Sequence, residues 1–338
     1  MMKLAYLAFS DKGYTLAQKL AAELGGTAYR SGQPQSLSEW TEEHFGSDEG
    51  LVFVGAAGIA VRAIAPFVSD KTTDPAVVVI DEKALNVIPI LSGHLGGANN
   101  LARDIAKATG AGCVITTATD INGVFAVDEW AKRQGCKLIE SERIVRVSGA
   151  LLGGGTVTVK SPWEIAGEIP EGIRPIDACT DADVSADVTL DAFSKDAETL
   201  HIVPPVCTLG IGCRKGTSKE SIELLLEKLI QKTGLQLESV TGVASIDLKK
   251  EETGLLEFCA DHGWEADFYT ADELAGLGGR FTASDMVKSV TGVDNVCERS
   301  ACAKSGGEIV VRKMSGGGVT MAVAMIDYRP TWEWKQDE

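Results

Sequence analysis

The sequence predicts an α/β protein: two α/β domains with mainly parallel sheets, joined by a smaller connecting subdomain. Three observations carry that expectation. Short apolar runs at 51–55 and 76–81 alternate with helical patterns, the rhythm of strands covered on both faces by helices. The rhythm stops near 137 and restarts after Pro204-Pro205. The 338 residues exceed one ordinary core, since a domain usually takes about 100–200 residues. The boundaries read as an N-terminal α/β domain at 1–136, a connecting subdomain at 137–205 and a C-terminal α/β domain at 206–330.

Residues 3–10 read as a buried strand, and Tyr14, Leu16, Leu20 and Leu24 give a helix ending at Gly25-Gly26. After the strand at 51–55, a helix at 59–65 stops before Pro66. Two short strands, 76–81 and 87–91, flank a turn-like stretch. A glycine loop and a helix at 99–108 follow, then a strand at 113–117. In the connecting region 143–147 and 156–160 look strand-like. The second α/β unit opens with a strand at 206–211 and a loop at 212–217. Its first helix carries Ile222, Leu225, Leu226, Leu229 and Ile230 on the apolar side, with Ser218 as N-cap. Strand, helix and strand follow at 239–248, 255–262 and 266–269. Runs at 308–314 and 319–328, joined by 315–318, form an antiparallel hairpin.

An apolar fraction of 44% and a charged fraction of 24% match ordinary globular proteins, and no apolar run approaches a membrane span. The net charge of -16 argues against nonspecific binding to nucleic acid or anionic membrane, but not against a small anion held by a local cationic pocket. The eight cysteines form no C-x-x-C pair and no metal-ligand cluster, so they read as reduced, packed thiols. The expected compartment is the cytoplasm, with no metal held by the protein.

The most informative run is Ser92-Gly93-His94-Leu95-Gly96-Gly97-Ala98-Asn99, where glycines uncover backbone N–H groups at the mouth of a helix, a place for an oxyanion or carboxylate. His94 inside it is suited to proton exchange near neutrality, or is merely structural. Gly55-Ala56-Ala57-Gly58 lacks the full G-x-G-x-x-G of dinucleotide sites. Arg62, Lys71 and Asp74 are candidates for the same end of the sheet or ordinary surface charge. Thr116, Thr117 and Asp120 make a ligand rim or a helix cap. In the second half, Gly212, Arg214 and Lys215 place two cations between strand and helix, an anion site without P-loop spacing. Cys213 beside them reads as an inert thiol. Glu298-Arg299 offers a second carboxylate or a solvated helical pair.

Several of these runs, in order, resemble one family. Phe53-Val54-Gly55-Ala56-Ala57-Gly58-Ile59-Ala60-Val61-Arg62-Ala63-Ile64-Ala65-Pro66, Lys71, Asp74-Pro75, Ser92-Gly93-His94-Leu95-Gly96-Gly97-Ala98-Asn99 and Thr116-Thr117-Ala118-Thr119-Asp120 are similar to the N-terminal region of the cobalt-precorrin-5A hydrolases, the CbiG family. Leu209-Gly210-Ile211-Gly212-Cys213-Arg214-Lys215-Gly216 resembles the start of its C-terminal domain. One departure is Val296-Cys297-Glu298-Arg299-Ser300-Ala301, where the family reads like V-A-E-P-A-A: the glutamate matches and Arg299 replaces proline.

The resemblance implies opening of the ring-A lactone of cobalt-precorrin-5A, release of acetaldehyde and formation of cobalt-precorrin-5B in anaerobic cobalamin biosynthesis. It implies His94 as the base that activates water, with Ser92 as a weaker nucleophile and Glu298 as a second acid. Oxyanion donors would come from the Gly93, Gly96 and Gly97 loop. Gly55, Gly58, Arg62, Lys71, Asp74, Asn99, Thr116, Thr117, Asp120, Gly212, Arg214 and Lys215 would contact the corrinoid. Cobalt would arrive with the substrate, so no protein cofactor is implied, and transient contact with other pathway enzymes fits. The alternative is a noncatalytic carrier of a corrinoid intermediate.

Overall fold

A computed structural model describes residues 2–70, 73–177, 187–194 and 199–334. The chain divides into two compact units, 1–129 and 130–338.

The first unit runs β1 (Leu4–Ala8), α1 (Asp11–Leu24), β2 (Thr27–Arg30), α2 (Leu37–Phe45), β3 (Gly50–Val54), α3 (Ala57–Ile64), β4 (Ala76–Ile80), β5 (Asn86–Leu91), α4 (Ala98–Thr109), β6 (Gly112–Cys113), α5 (Ala118–Asn122) and the start of α6 (Val127–Arg133). Its sheet has the order β2-β1-β3-β4-β5-β6. β1, β3 and β4 are buried throughout, which is why they read as unbroken apolar runs rather than as alternating ones. Strand periodicity sends Tyr6, Val52, Val54 and Val78 into one core with Leu20 of α1 and Ile105 of α4. It sends Leu7, Leu51, Phe53 and Val79 into the other, with Trp40 of α2 and Ile64 of α3.

The second unit begins with a five-stranded sheet, β7-β11-β10-β8-β9, built from β7 (Lys137–Leu138), β8 (Val157–Ser161), β9 (Ile173–Asp177), β10 (Val188–Leu190) and β11 (Leu200–Val203). The segment expected as a strand at 143–147 is helix α7 (Ile144–Leu152). Its buried residues Ile144, Val147 and Leu151 follow helical spacing, and the β-branched composition conceals it. β12 (Cys207–Cys213), α8 (Lys219–Thr233), β13 (Val240–Ile246), α9 (Thr253–His262), β14 (Ala266–Tyr269), α10 (Ala271–Ala275), α11 (Asp285–Thr291), α12 (Cys297–Ser305), β15 (Glu308–Gly316) and β16 (Val319–Met325) complete it. The sheet order is β14-β13-β12-β16-β15, with β15 and β16 forming the expected hairpin. Leu209, Ile211, Val243 and Val323 pack against Leu225 and Leu229 of α8 and Phe258 of α9.

Ser218 is the N-cap of α8, although its side chain makes no capping bond. Gly210 lies within β12, where an added Cβ would come 1.8 Å from the Cys297 carbonyl oxygen, so α12 can approach only over glycine. No described helix is long and apolar enough to cross a membrane.

Candidate active site

β5 returns antiparallel to β4 after a tight turn, pairing Ile80 with Val87 and Val77 with Leu91. Its final residue therefore lies at the edge from which β4 starts. The Ser92–Gly97 segment opens there, beside the carbonyl of Asp74, which an added Cβ on Gly96 would approach to 3.3 Å. The turn after β3, with Gly55 and Gly58, leaves the sheet at the opposite edge, because β3 and β4 are parallel with Val54 beside Ile80. The sequence-predicted ligand residues of the first unit are thus divided between two edges.

At the β5 edge the loop folds back on helix α4. The backbone N–H groups of Gly97, Ala98 and Asn99 donate to the carbonyls of His94, Ser92 and Gly93, at 3.0 Å each. The N–H of Gly97, expected as an oxyanion donor, is consumed by this closure. Gly97 adopts a left-handed φ of 87° as N-cap, and a Cβ at Gly96 would fall 2.3 Å from the Ser92 Cβ. The glycines serve the tightness of the turn.

His94 projects from this loop between two carboxylates. Its Nε2 lies 2.8 Å from Asp120 Oδ2 and its Nδ1 3.1 Å from Asp128 Oδ2. Asp120 also accepts from Asn99 Nδ2 at 2.9 Å and from the Arg103 guanidinium at 2.6 Å. Asn99 reaches Thr117 Oγ1 at 3.2 Å with the same nitrogen. The His94 side chain is 12% exposed. Burial alone would discharge it, yet hydrogen bonds to Asp120 and Asp128 and the charges of Asp128 and Glu129 push its pKa up to about 10. Burial would also raise Asp120, but His94 and Arg103 hold it below the usual carboxylate range. With a carboxylate oxygen at each ring nitrogen, the geometry favours the doubly protonated imidazolium. That arrangement favours a held cation over the free base expected from the sequence.

Asn99, Thr117, Asp120 and His94 are brought together. Thr116 is exposed beside them. Asp74 is buried, its carboxylate accepting from the Ser69 N–H at 3.1 Å and its hydroxyl at 3.3 Å, so it secures its own loop. Gly55 is explained by packing, since a Cβ would meet the Phe9 ring at 2.7 Å, whereas Gly58 is open. Arg62 is exposed on α3, and Lys71 lies outside the described residues. The strand expected at 113–117 shortens to Gly112–Cys113, and the rest is the loop that delivers Thr117 and Asp120.

Sequence reasoning missed Arg103, Asp128 and Glu129. Arg103 was detectable, for it stands four residues after Asn99 on one helical face. Asp128 and Glu129 open α6, and only the tertiary fold shows that Asp128 reaches His94. Burial pushes the Glu129 carboxyl up.

In the second unit Arg214 and Lys215 are exposed on the loop after β12. Lys215 lines a cavity of about 690 Å³ with Lys219, Lys249 and Glu252. The Glu252 carboxylate already accepts from the Gly216 N–H and pairs with Lys249 at 3.0 Å, so the loop's anion is internal. Gly212 belongs to β12, with Thr320 Oγ1 2.7 Å from any added Cβ. Burial raises the Cys213 thiol, in keeping with an inert packed residue.

Glu298 is not a solvated pair with Arg299. It is 0% exposed and accepts from the Thr282 N–H at 2.7 Å, the Thr282 hydroxyl at 2.8 Å and the Lys313 N–H at 2.8 Å. Arg299 binds Asp294 and the carbonyls of Leu274 and Leu277. Both residues tie the segment before α11 to α12. Among the described residues no group of His, Cys, Asp or Glu has the arrangement of a metal site.

A mainly parallel sheet covered on both faces, with a carboxylate-clamped histidine on a glycine loop at its edge, defines an α/β protein. Family comparison makes the class specific. Residues 39–120 match the family described as Cobalamin synthesis G N-terminal, and 207–324 match Cobalamin synthesis G C-terminus. A cobalt-precorrin-5A hydrolase of Priestia megaterium is 37% identical, over 84% of this chain and 80% of the relative. One of Salmonella typhimurium is 31% identical, over 95% and 97%. Protein CobE of Sinorhizobium sp is 30% identical over 34% of this chain and 77% of its own. The chain belongs to the CbiG family.

Proposed function

We propose that this protein is a cobalt-precorrin-5A hydrolase, acting in cobalamin biosynthesis. The observation that carries the reading is the near full-length match to a relative of that name, with the His94 cluster supplying suitable chemistry. Water adds to the ring-A lactone carbonyl, the acyl–oxygen bond breaks, and a carboxylate and a free hydroxyl result. Collapse of that hydroxyl to a carbonyl breaks the adjoining carbon–carbon bond and releases acetaldehyde, the bond electrons passing into the macrocycle. The corrinoid with its own cobalt is the electron sink, so the reaction calls for no cofactor on the protein.

His94, fixed between Asp120 and Asp128 with both ring nitrogens engaged, contributes positive charge at the edge where the lactone would bind rather than a free hydrogen-bond donor. Asn99, Thr116 and Thr117 line the same edge. Arg62 and Lys71 in the first unit, or Arg214 and Lys215 in the second, are the candidate cations for the substrate's carboxylates. Glu298 acts through the segment it anchors. The cytoplasm, with transient contact to neighbouring pathway enzymes, fits this role. Anaerobic incubation with cobalt-precorrin-5A, with aldehyde trapping and corrinoid mass measurement, tests it: one acetaldehyde per corrinoid is expected. Unchanged substrate that remains bound would favour a carrier.

A further inference from the structure

Edge strand β15 slips register in the second unit, beside the N-terminus of α12. Val311 pairs with Val323 and Met314 with Met321, so Arg312 and Lys313 together stand opposite Ala322 alone. Such a bulge releases backbone groups from the ladder and re-aims side chains. The released Lys313 N–H donates to Glu298 Oε1 at 2.8 Å. The Arg312 guanidinium lies 3.5 Å from Glu298 Oε2 and donates to the Arg280 carbonyl. Glu298 also accepts from the N–H and hydroxyl of Thr282, whose carbonyl accepts from Asn295 Nδ2 at 2.9 Å. Glu298 and Asn295 are 0% and 1% exposed. Burial would raise the Glu298 carboxyl, yet the N–H bonds from Lys313 and Thr282 hold it below the usual carboxylate range. Buried polar side chains thus fix two stretches of surface backbone, 280–282 and 312–313, against each other.

What they bring together is positive charge. Arg280 and Arg312 are exposed and Lys313 is half-buried, while the carboxylate between them is closed to solvent. Among the described residues neither Arg280 nor Lys313 makes an ion pair, and the Lys313 ammonium has no hydrogen-bond partner. The loop after β12 already holds the Glu252 carboxylate; Lys313 pairs with none. An ammonium drawn partly out of water is costly unless an anion meets it. We propose that Lys313, flanked by Arg312 and Arg280, binds a carboxylate arm of the corrinoid, with Glu298 and Asn295 as positioning residues that keep this cationic patch in shape. The inference rests on the corrinoid reading above and gives the second unit a binding site of its own.

The test measures equilibrium binding of cobalt-precorrin-5A, and of the stable cobalt corrin cobyrinic acid and its methyl ester, to wild type, Lys313→Met, Lys313→Arg and Glu298→Gln. Lys313→Met is expected to weaken both acids about 10-fold and to leave the ester unchanged. In turnover the loss should appear in KM rather than in kcat. Lys313→Arg should restore most of the affinity. Glu298→Gln should cause a similar loss, and the double variant little more, because the two act on one site. Wild-type affinity in Lys313→Met, an equal loss for the ester, or fully additive losses would overturn the proposal. Lys313→Met keeps the backbone N–H that bonds Glu298, so its result decides even where Glu298→Gln fails to fold. Acetaldehyde separates the two readings. Weakened corrinoid binding in Lys313→Met of a protein that releases none refutes the hydrolase and keeps this site, whereas normal release with unaltered affinity in Lys313→Met refutes only the site.

Discussion

A histidine between two carboxylates loses the property for which histidine is most often used. With its pKa pushed up to about 10 from 6.5, His94 stays charged across the neutral range, so acetaldehyde release should show no acid limb near pH 6.5 and should fall only as pH approaches about 10. A base would give the opposite, activity rising through 6.5, and the pH dependence of kcat/KM separates the two. Stability follows the same sign. A raised folded-state pKa means that the cluster's contribution is full below pH 6.5 and disappears as pH rises through about 10. The melting difference between wild type and His94→Gln should narrow over that window; a difference that widens would rule out the imidazolium. Asp128→Asn removes one of the two charges, and the alkaline fall in activity should move down by about one pH unit. The loop motif made His94 and Asn99 legible in the sequence, and the Thr116–Asp120 run did the same for Asp120. Asp128 was not, because its partner is 34 residues away and no local spacing announces the contact.

At the scale of elements, the buried strands were the most legible. β1, β3 and β4 have no polar interior residue to blur them. Errors gathered where composition and period disagree: α7 is rich in β-branched residues yet buries a helical stripe. β2 and α2 escaped notice because β2 is only partly buried and α2 shows few apolar residues. The direction of β5 had the largest consequence. Its antiparallel return carries the glycine loop to the edge opposite Gly55 and Gly58, so residues grouped by one family resemblance do not form one surface. Close packing also explains glycines that resembled ligand loops. Gly210→Ala should cost about 3 kcal/mol or more, since the backbone of α12 must move. Denaturant unfolding measures this, and a loss below about 1 kcal/mol would show that α12 shifts freely.

For the whole molecule, the family is secured by matches spread over both units, while the His94 cluster lies in the first. A chain of net charge -16 can still take a substrate rich in carboxylates where local cations stand, but in the His94 cluster Asp120 and Asp128 offset the charges of His94 and Arg103. The central claim is that His94 supplies charge to a hydrolase rather than shape to a carrier. Acetaldehyde release from cobalt-precorrin-5A by wild type and by His94→Gln, compared at equal folded concentration, tests it most directly. Wild type should release one acetaldehyde per corrinoid, and the folded variant should be slower by about 100-fold or more. Equal rates, or no acetaldehyde from wild type, would contradict the account.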